Sequence, residues 1–417
     1  MTLNDGVAII GAGIGGLTFA LNLHKRGIPF RVFEAVPEFR PLGVGLNLLP
    51  HAMAKLGDLG LLDALMARGV ETKEYRFYTK NGQLVDTDAR GKAAGYEVPQ
   101  CSVHRGDLHE VLVQALLDRA GPDAIVMGHR AISVSQDDSA GVVHFAATGQ
   151  GRPADVRAAV VVACDGVNSV VRSQFHPNEA VPRYEGTMNY RGATRWKPFL
   201  TGATMIYMGT VETGKLIVCP IRNDIDGQGT QLINWVIELQ RPDTHLVRDW
   251  NRASDINDFI GHFERCNFDF LNIPAMLRAA DRMFEYPMCD QEMLPYWTKG
   301  RITLLGDAAH PMMPRGSNGA AQAIIDGETL AEMLTAGDDW PAALKAYDDA
   351  RREAVNAVVT ANRSMAPDAI LRVVEERTAG QPFDDIEKVI PKHERVAWQN
   401  RYKLRAGFAR EQVAKSH

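Results

Sequence analysis

Val7-Ala8-Ile9-Ile10-Gly11-Ala12-Gly13-Ile14-Gly15-Gly16, followed by Glu34, decides the fold. Val7 to Ile10 is a short apolar run, the pattern of a strand buried on both faces. Gly11 permits a tight turn, Gly13 lets a pyrophosphate approach the backbone, and Gly16 lets the next helix pack on the strand. That helix carries Leu17, Ala20 and Leu21 at core-facing spacing, and Gly27 ends it. Its N-terminus offers unpaired N–H groups to phosphates. Phe30 to Phe33 reads as a second strand with Glu34 at its C-terminal end. A carboxylate about 20 residues beyond such glycines accepts a ribose hydroxyl. The bland alternative is a Gly-rich turn; the strand, helix and acid around this one favour a dinucleotide site, without separating NAD from FAD.

Far downstream stands Arg301-Ile302-Thr303-Leu304-Leu305-Gly306-Asp307-Ala308-Ala309-His310, an apolar strand ending in Gly-Asp. Asp307 is placed to bind ribityl hydroxyls, although alone Gly306-Asp307 reads equally well as a plain turn. Taken together the two signatures point to FAD, which must be gripped at both ends. Pro314-Arg315-Gly316-Ser317-Asn318-Gly319-Ala320-Ala321 then feeds a helix whose N-terminus would stabilise negative charge on the reduced ring.

The fold class expected is α/β: a Rossmann-like FAD-binding domain with an inserted, mostly antiparallel β-sheet substrate domain and C-terminal helices. The expected division is 1–182 and 286–365 for the FAD-binding domain, 183–285 for the insert and 366–417 for a tail. In the first part, 53–67 reads as short helical pieces broken at Gly57 and Gly60. The insert carries β-rich stretches at 204–208, 215–219 and 231–237, with a more helical segment from Asp249 to Arg278. The charged tail reads as solvated surface helix, at a subunit contact if the chain is a homodimer rather than a monomer. At 417 residues, 45% hydrophobic and 23% charged, this is ordinary globular composition. A net charge of −5 argues against nucleic acid, no apolar run reaches membrane length, and no basic n-region marks a signal peptide. Five widely spaced cysteines without a CxxC pair suggest neither a metal site nor a disulfide framework, and fit a cytoplasmic protein.

Three motifs in this order, the Gly11–Gly16 stretch, Cys164-Asp165-Gly166-Val167-Asn168-Ser169-Val170-Val171-Arg172, and Gly306-Asp307-Ala308-Ala309-His310-Pro311, resemble the single-component (class A) FAD aromatic monooxygenases, the p-hydroxybenzoate hydroxylase-like group. The resemblance spans roughly 1–365. Arg40 to Pro50 and Val103 to Leu108 look most similar to the branch containing the 5-methylphenazine-1-carboxylate hydroxylase. It implies an NADH- or NADPH-reduced FAD that reacts with O2 to a C4a-hydroperoxide and hydroxylates an electron-rich aromatic or heteroaromatic molecule, including a carboxylate, with or without decarboxylation. The chemistry is borne by the flavin, so no catalytic acid or base is named. On matching positions it implies that Gly11, Gly13, Ile14, Gly15, Gly16 and Glu34 hold the adenosine half, that Arg105, Gly306 and Asp307 reach the phosphates and ribityl chain, and that Asp165 assists FAD and NAD(P)H binding. Gly319 and Ala320 would present N–H groups to the flavin edge. The loop departs from many relatives, in which a Gly-x-Gly pair precedes Asn.

For the substrate, the candidates are Tyr190, Arg191, Met205, Tyr207 and Trp235 on the inserted sheet, with Pro311, Met313 and Pro314 beside the flavin. Each competes with a role in core packing, and Arg191 with a surface salt bridge. His310 reads as structural rather than as a base, as do His51 and His104. A flavin oxidoreductase of the same fold that does not hydroxylate is the main alternative. A halogenase is disfavoured because the chain lacks Trp-x-Trp-x-Ile-Pro, and no long apolar tunnel suggests a geranylgeranyl-reductase-like enzyme. A non-enzymatic flavin-binding protein is disfavoured because both ends of an FAD site accompany an insert of suitable size.

Overall fold

In the computed structural model, residues 2–39, 43–149, 151–242, 252–364 and 368–414 are described. Arg40-Pro41-Leu42 and the start of the Asp249–Arg278 segment, up to Asn251, lie outside them. The first sheet is built on parallel strands in the order Ile302–Leu304, Val156–Ala163, Thr2–Ile10, Phe30–Phe33 and Ile125–Val126. Ile9 pairs with Val162 on one side and Val32 on the other, and all three are fully buried, as expected for a strand covered on both faces. These strands carry Gly11, Glu34, Cys164-Asp165 and Leu305-Gly306 just past their C-terminal ends, so four segments distant in sequence meet along one edge. Ligands of open α/β sheets bind along such an edge.

A second sheet runs Met283–Asp290, Arg183–Trp196, Gln231–Gln240, Lys215–Arg222, Thr204–Met208, Glu74–Tyr78 and Leu84–Ala89. It is therefore not confined to 183–285. Residues 74–89 join it as a hairpin, paired parallel to Thr204–Met208, because Tyr75 and Phe77 complete the apolar face begun by Met205 and Tyr207. The sheet is apolar on both faces. One packs Trp235, Tyr190 and Val218 on Phe259, Phe263 and Met276. The other packs Met205, Tyr207 and Phe77 on Ile370, Leu371 and Val374 of the tail.

The tail thus differs from the solvated helix expected. Helices Ala369–Thr378 and Lys392–Arg405 bury apolar residues on the second sheet and against Leu49 and Ala54, while two of the basic side chains that suggested solvation are held in ion pairs, Lys403–Asp88 (2.8 Å) and Arg395–Asp86 (3.4 Å). Residues 252–278 are also less helical than expected. They form two single 3-10 turns, Ile256–Asp258 and Ile260–His262, before the short helix Ile273–Arg278, so the apolar side chains point inward from turns. Between 50 and 66 the helix Pro50–Asp58 runs through Gly57, and the break falls at Leu59–Leu61, where Gly60 takes φ 69°. No helix among the described residues is long and apolar enough to cross a membrane.

Candidate active site

The glycine turn is built as its residue types require. Gly11 has φ 99°, and a Cβ there would sit 2.5 Å from the Cys164 carbonyl oxygen. A Cβ on Gly16 would meet the Gly11 carbonyl oxygen at 2.1 Å. On Gly13 it would meet nothing within 4 Å, so the open space lies in front of Gly13, at the N-terminus of the helix Ile14–Lys25. Glu34 curls back beneath the turn: its carboxylate accepts from the Ala12 amide (2.8 Å) and the Val36 amide (3.0 Å). His109, on the helix Arg105–Ala120, lies 2.8 Å from the Ala12 carbonyl oxygen through Nε2. Nothing in the sequence singled out His109, since its partner is 97 residues away.

The second and third motifs are tied together by Arg172. Its buried guanidinium donates to the carbonyls of Ala308 (3.2 Å), Ala309 (2.8 Å) and Glu292 (3.1 Å), and pairs with Glu179. Ser169 caps the short helix that carries it, accepting from the Arg172 amide at 3.0 Å. Asp165 accepts from the Val170 amide at 2.9 Å through one oxygen, whereas Oδ1 is buried without a hydrogen-bond partner. Burial pushes this carboxyl above its ordinary pKa, against hydrogen bonds from Ser169 and nearby amides that pull it down.

Asp307 is exposed on the turn after Leu305, and Gly306 takes φ 64°. Behind the turn His310 is buried, with Nε2 2.5 Å from Asp326; Arg351 holds the other Asp326 oxygen at 2.7 Å. Burial alone would raise the Asp326 carboxyl, but His310 and Arg351 outweigh it and hold it below its ordinary value. His310 is therefore committed to a buried cluster with Asp326 and Arg351. His51 is buried too, stacked 5.7 Å from Phe408.

The charges of Asp307 and Arg191 both act on Arg105. Burial lowers the Arg105 guanidinium from its ordinary value, the Asp307 charge opposes that, and the Arg191 charge adds to it. Arg191 lies 4.5 Å over the ring of Tyr286, and Tyr286 packs with Met288 and Met313. Strand register places Arg191 in one cross-strand row with Val236, Ile217 and Tyr207, on the sheet face turned toward the tail. The Gly45 amide donates to Asn234 Oδ1 (2.9 Å), which anchors the strand Gly45–Leu48 to this same face.

Tyr190 and Trp235 are not brought to that face. Their neighbours along the strands place them on the opposite one, where both rings pack on Phe259 at 5.2 and 5.6 Å and the Trp235 indole donates to Thr194 (3.0 Å). Met205 and Tyr207 are on the right face but buried in the contact with the tail. Pro314 is exposed and Met313 buried. Gly319 and Ala320 lie in the first turn of the helix Asn318–Thr335. Tyr286, Met288, Asn234 and the tail were not anticipated. Their relevance comes from strand order and from contacts across the chain, which leave no local motif.

An FAD binding domain family profile matches residues 5–362, most of the chain. The chain belongs to this family of FAD-dependent aromatic monooxygenases. The enzyme is similar to the phenazine 1,6-dicarboxylic acid hydroxylase PhzS of Lysobacter antibioticus, 38% identical over 361 residues that cover 86% of this chain and 89% of that protein. It is also similar to the 6-hydroxynicotinate 3-monooxygenase of Pseudomonas fluorescens, 28% identical over 91% of this chain and 92% of that one. Among solved structures, Klebsiella pneumoniae HpxO, complexed with FAD and uric acid, shares the fold with a TM-score of 0.72 at 21% identity, covering 98% of this chain and 97% of that one. The monooxygenase therefore uses FAD, as its sequence motifs implied.

Proposed function

We propose that this FAD monooxygenase hydroxylates an aromatic or heteroaromatic carboxylic acid, taking electrons from NADH or NADPH and one oxygen atom from O2. Phenazine carboxylates are the first compounds to try, since the relative at 38% identity acts on a phenazine dicarboxylic acid by name.

The residues present fit FAD. Open space in front of Gly13 suits a pyrophosphate, and the amides of the Ile14–Lys25 helix would receive it. Glu34 is fixed by two amides and keeps lone pairs for ribose hydroxyls. The unpartnered Asp165 Oδ1 is a buried acceptor that a ligand hydroxyl or amide would satisfy. Arg105 and Asp307, whose charges interact, would reach the phosphate and ribityl parts of FAD, and Gly319 and Ala320 would offer amides to the ring. FAD, when bound, supplies the redox and oxygen-transfer chemistry. The protein's residues then have to hold the substrate, exclude water and keep charge in register.

The observation that carries the substrate class is Arg191. It stands on the sheet face turned toward the tail with its guanidinium over an aromatic ring, and its charge adds to that of Arg105 against the single carboxylate of Asp307, so an anionic substrate group would be favoured there. The guanidinium lies over Tyr286, and that plane would guide an aromatic acid edge-on. Losing a charge-assisted hydrogen bond costs about 2 kcal/mol, roughly 30-fold in affinity. Arg191→Leu is expected to raise the KM for an aromatic carboxylate by about that factor while leaving the KM for its carboxyl-free analogue unchanged. Equal losses for both compounds would remove Arg191 from substrate recognition.

A further inference from the structure

We infer that Tyr402, a tail residue outside the span matched by the FAD-binding family, is a positioning residue for the loop that faces the flavin. The inference rests on the reading that Gly316 to Ala320 borders the ring. The loop enters its helix through Gly316 and Ser317, both left-handed with φ 68° and 62°. Such a conformation is costly for Ser and needs support from its surroundings. Tyr402 gives that support. Its hydroxyl donates to the Gly316 carbonyl (3.1 Å) and accepts from Asn318 Nδ2 (3.1 Å), and the same amide donates to Asn362 Oδ1 (3.1 Å). Tyr402 and Asn318 are both buried, so these bonds are shielded from competing water. Space is closed as well. A Cβ on Gly316 would lie 1.5 Å from the Tyr402 oxygen, so the loop cannot settle back toward the tail.

The tail is locked in place for this task by other bonds. Tyr402 packs on Phe408 at 5.8 Å, Lys403 pairs with Asp88, and Asp368 pairs with buried Lys215 at 3.0 Å. Lys215 also meets Glu238 (3.2 Å), which lies 3.8 Å from Arg315 in the same flavin-facing loop. The tail therefore reaches the loop by two routes, one through a hydroxyl and one through a chain of charges. The helix N-terminus set by Tyr402 aims its amides where negative charge gathers on reduction, and a small displacement weakens that field.

The test uses the full-length holoenzyme and Tyr402→Phe, which keeps the ring packing and removes only the hydroxyl. Expected are a flavin midpoint potential lower than in the unsubstituted enzyme, an altered visible flavin spectrum, and several-fold more NADH oxidised per product formed, with substrate Kd unchanged. Asn362→Ala, which releases the other partner of Asn318, should move the potential the same way and serves if Tyr402→Phe does not fold. Bound FAD with unchanged potential, spectrum and coupling in both variants would overturn the inference. Failure of the unsubstituted protein to retain FAD would instead overturn the reading on which it rests.

Discussion

Two glycines of the first turn separate folding from binding. At Gly16 a methyl group would collide with the Gly11 carbonyl oxygen at 2.1 Å, whereas at Gly13 it would enter open space. Gly16→Ala is therefore expected to destabilise the protein by several kcal/mol or prevent folding. Gly13→Ala should leave the melting of the FAD-free protein within about 0.5 kcal/mol, because no protein atom is displaced. Its FAD affinity should fall at least about tenfold, since the methyl group occupies the space a pyrophosphate needs. Thermal melts and fluorescence titration with FAD measure both. The roles of these glycines were legible in sequence because each follows from local geometry. The choice between Arg191 and its neighbour Tyr190 was not. Adjacent strand residues face opposite ways, and which face meets the cleft is set by the packing of the whole sheet.

At the scale of elements, the helix Pro50–Asp58 carries in its first turn a histidine sealed under the tail. Burial, with a smaller contribution from the charge of Arg351, drives the His51 imidazole from its ordinary 6.5 down to about 3. Between those values the unfolded chain binds a proton that the folded chain refuses. Stability from this group is complete above pH 6.5 and is lost as pH falls, by about 1.4 kcal/mol per pH unit. Urea melts at pH 7 and 5 should show the protein losing about 2 kcal/mol more than His51→Phe, which keeps the stack on Phe408. Equal losses would contradict the buried, neutral state. The sequence revealed strands at 204–208, 215–219 and 231–237 through their apolar runs, and the structure carries the last two on to Arg222 and Gln240. It concealed the tail, where a few apolar residues such as Ile370, Leu371 and Val374 sit among many charges that the fold pairs off. It also concealed the Glu74–Ala89 hairpin, whose alternating polar residues gave no sign that its strands belong to the second sheet.

In the molecule as a whole, the motifs at 7–16, 164–172 and 306–311 converge because three parallel strands deliver them to one edge, and Arg172 fastens the second to the third. The second sheet is tied to this half of the molecule by Asn234 on the Gly45 amide and Arg222 on Asp107, and the tail holds the loop at Gly316 through Tyr402. This arrangement suits a flavin enzyme that must admit an aromatic acid and exclude water. The most direct measurement is turnover of the purified holoenzyme with NADH, and separately with NADPH, and phenazine or pyridine carboxylates under isotopically labelled dioxygen, read by product mass. One aromatic acid is expected to accelerate oxidation of NADH or NADPH and to gain a single labelled oxygen atom. Oxidation of NADH and of NADPH that no aromatic acid stimulates, ending only in hydrogen peroxide, would contradict this function.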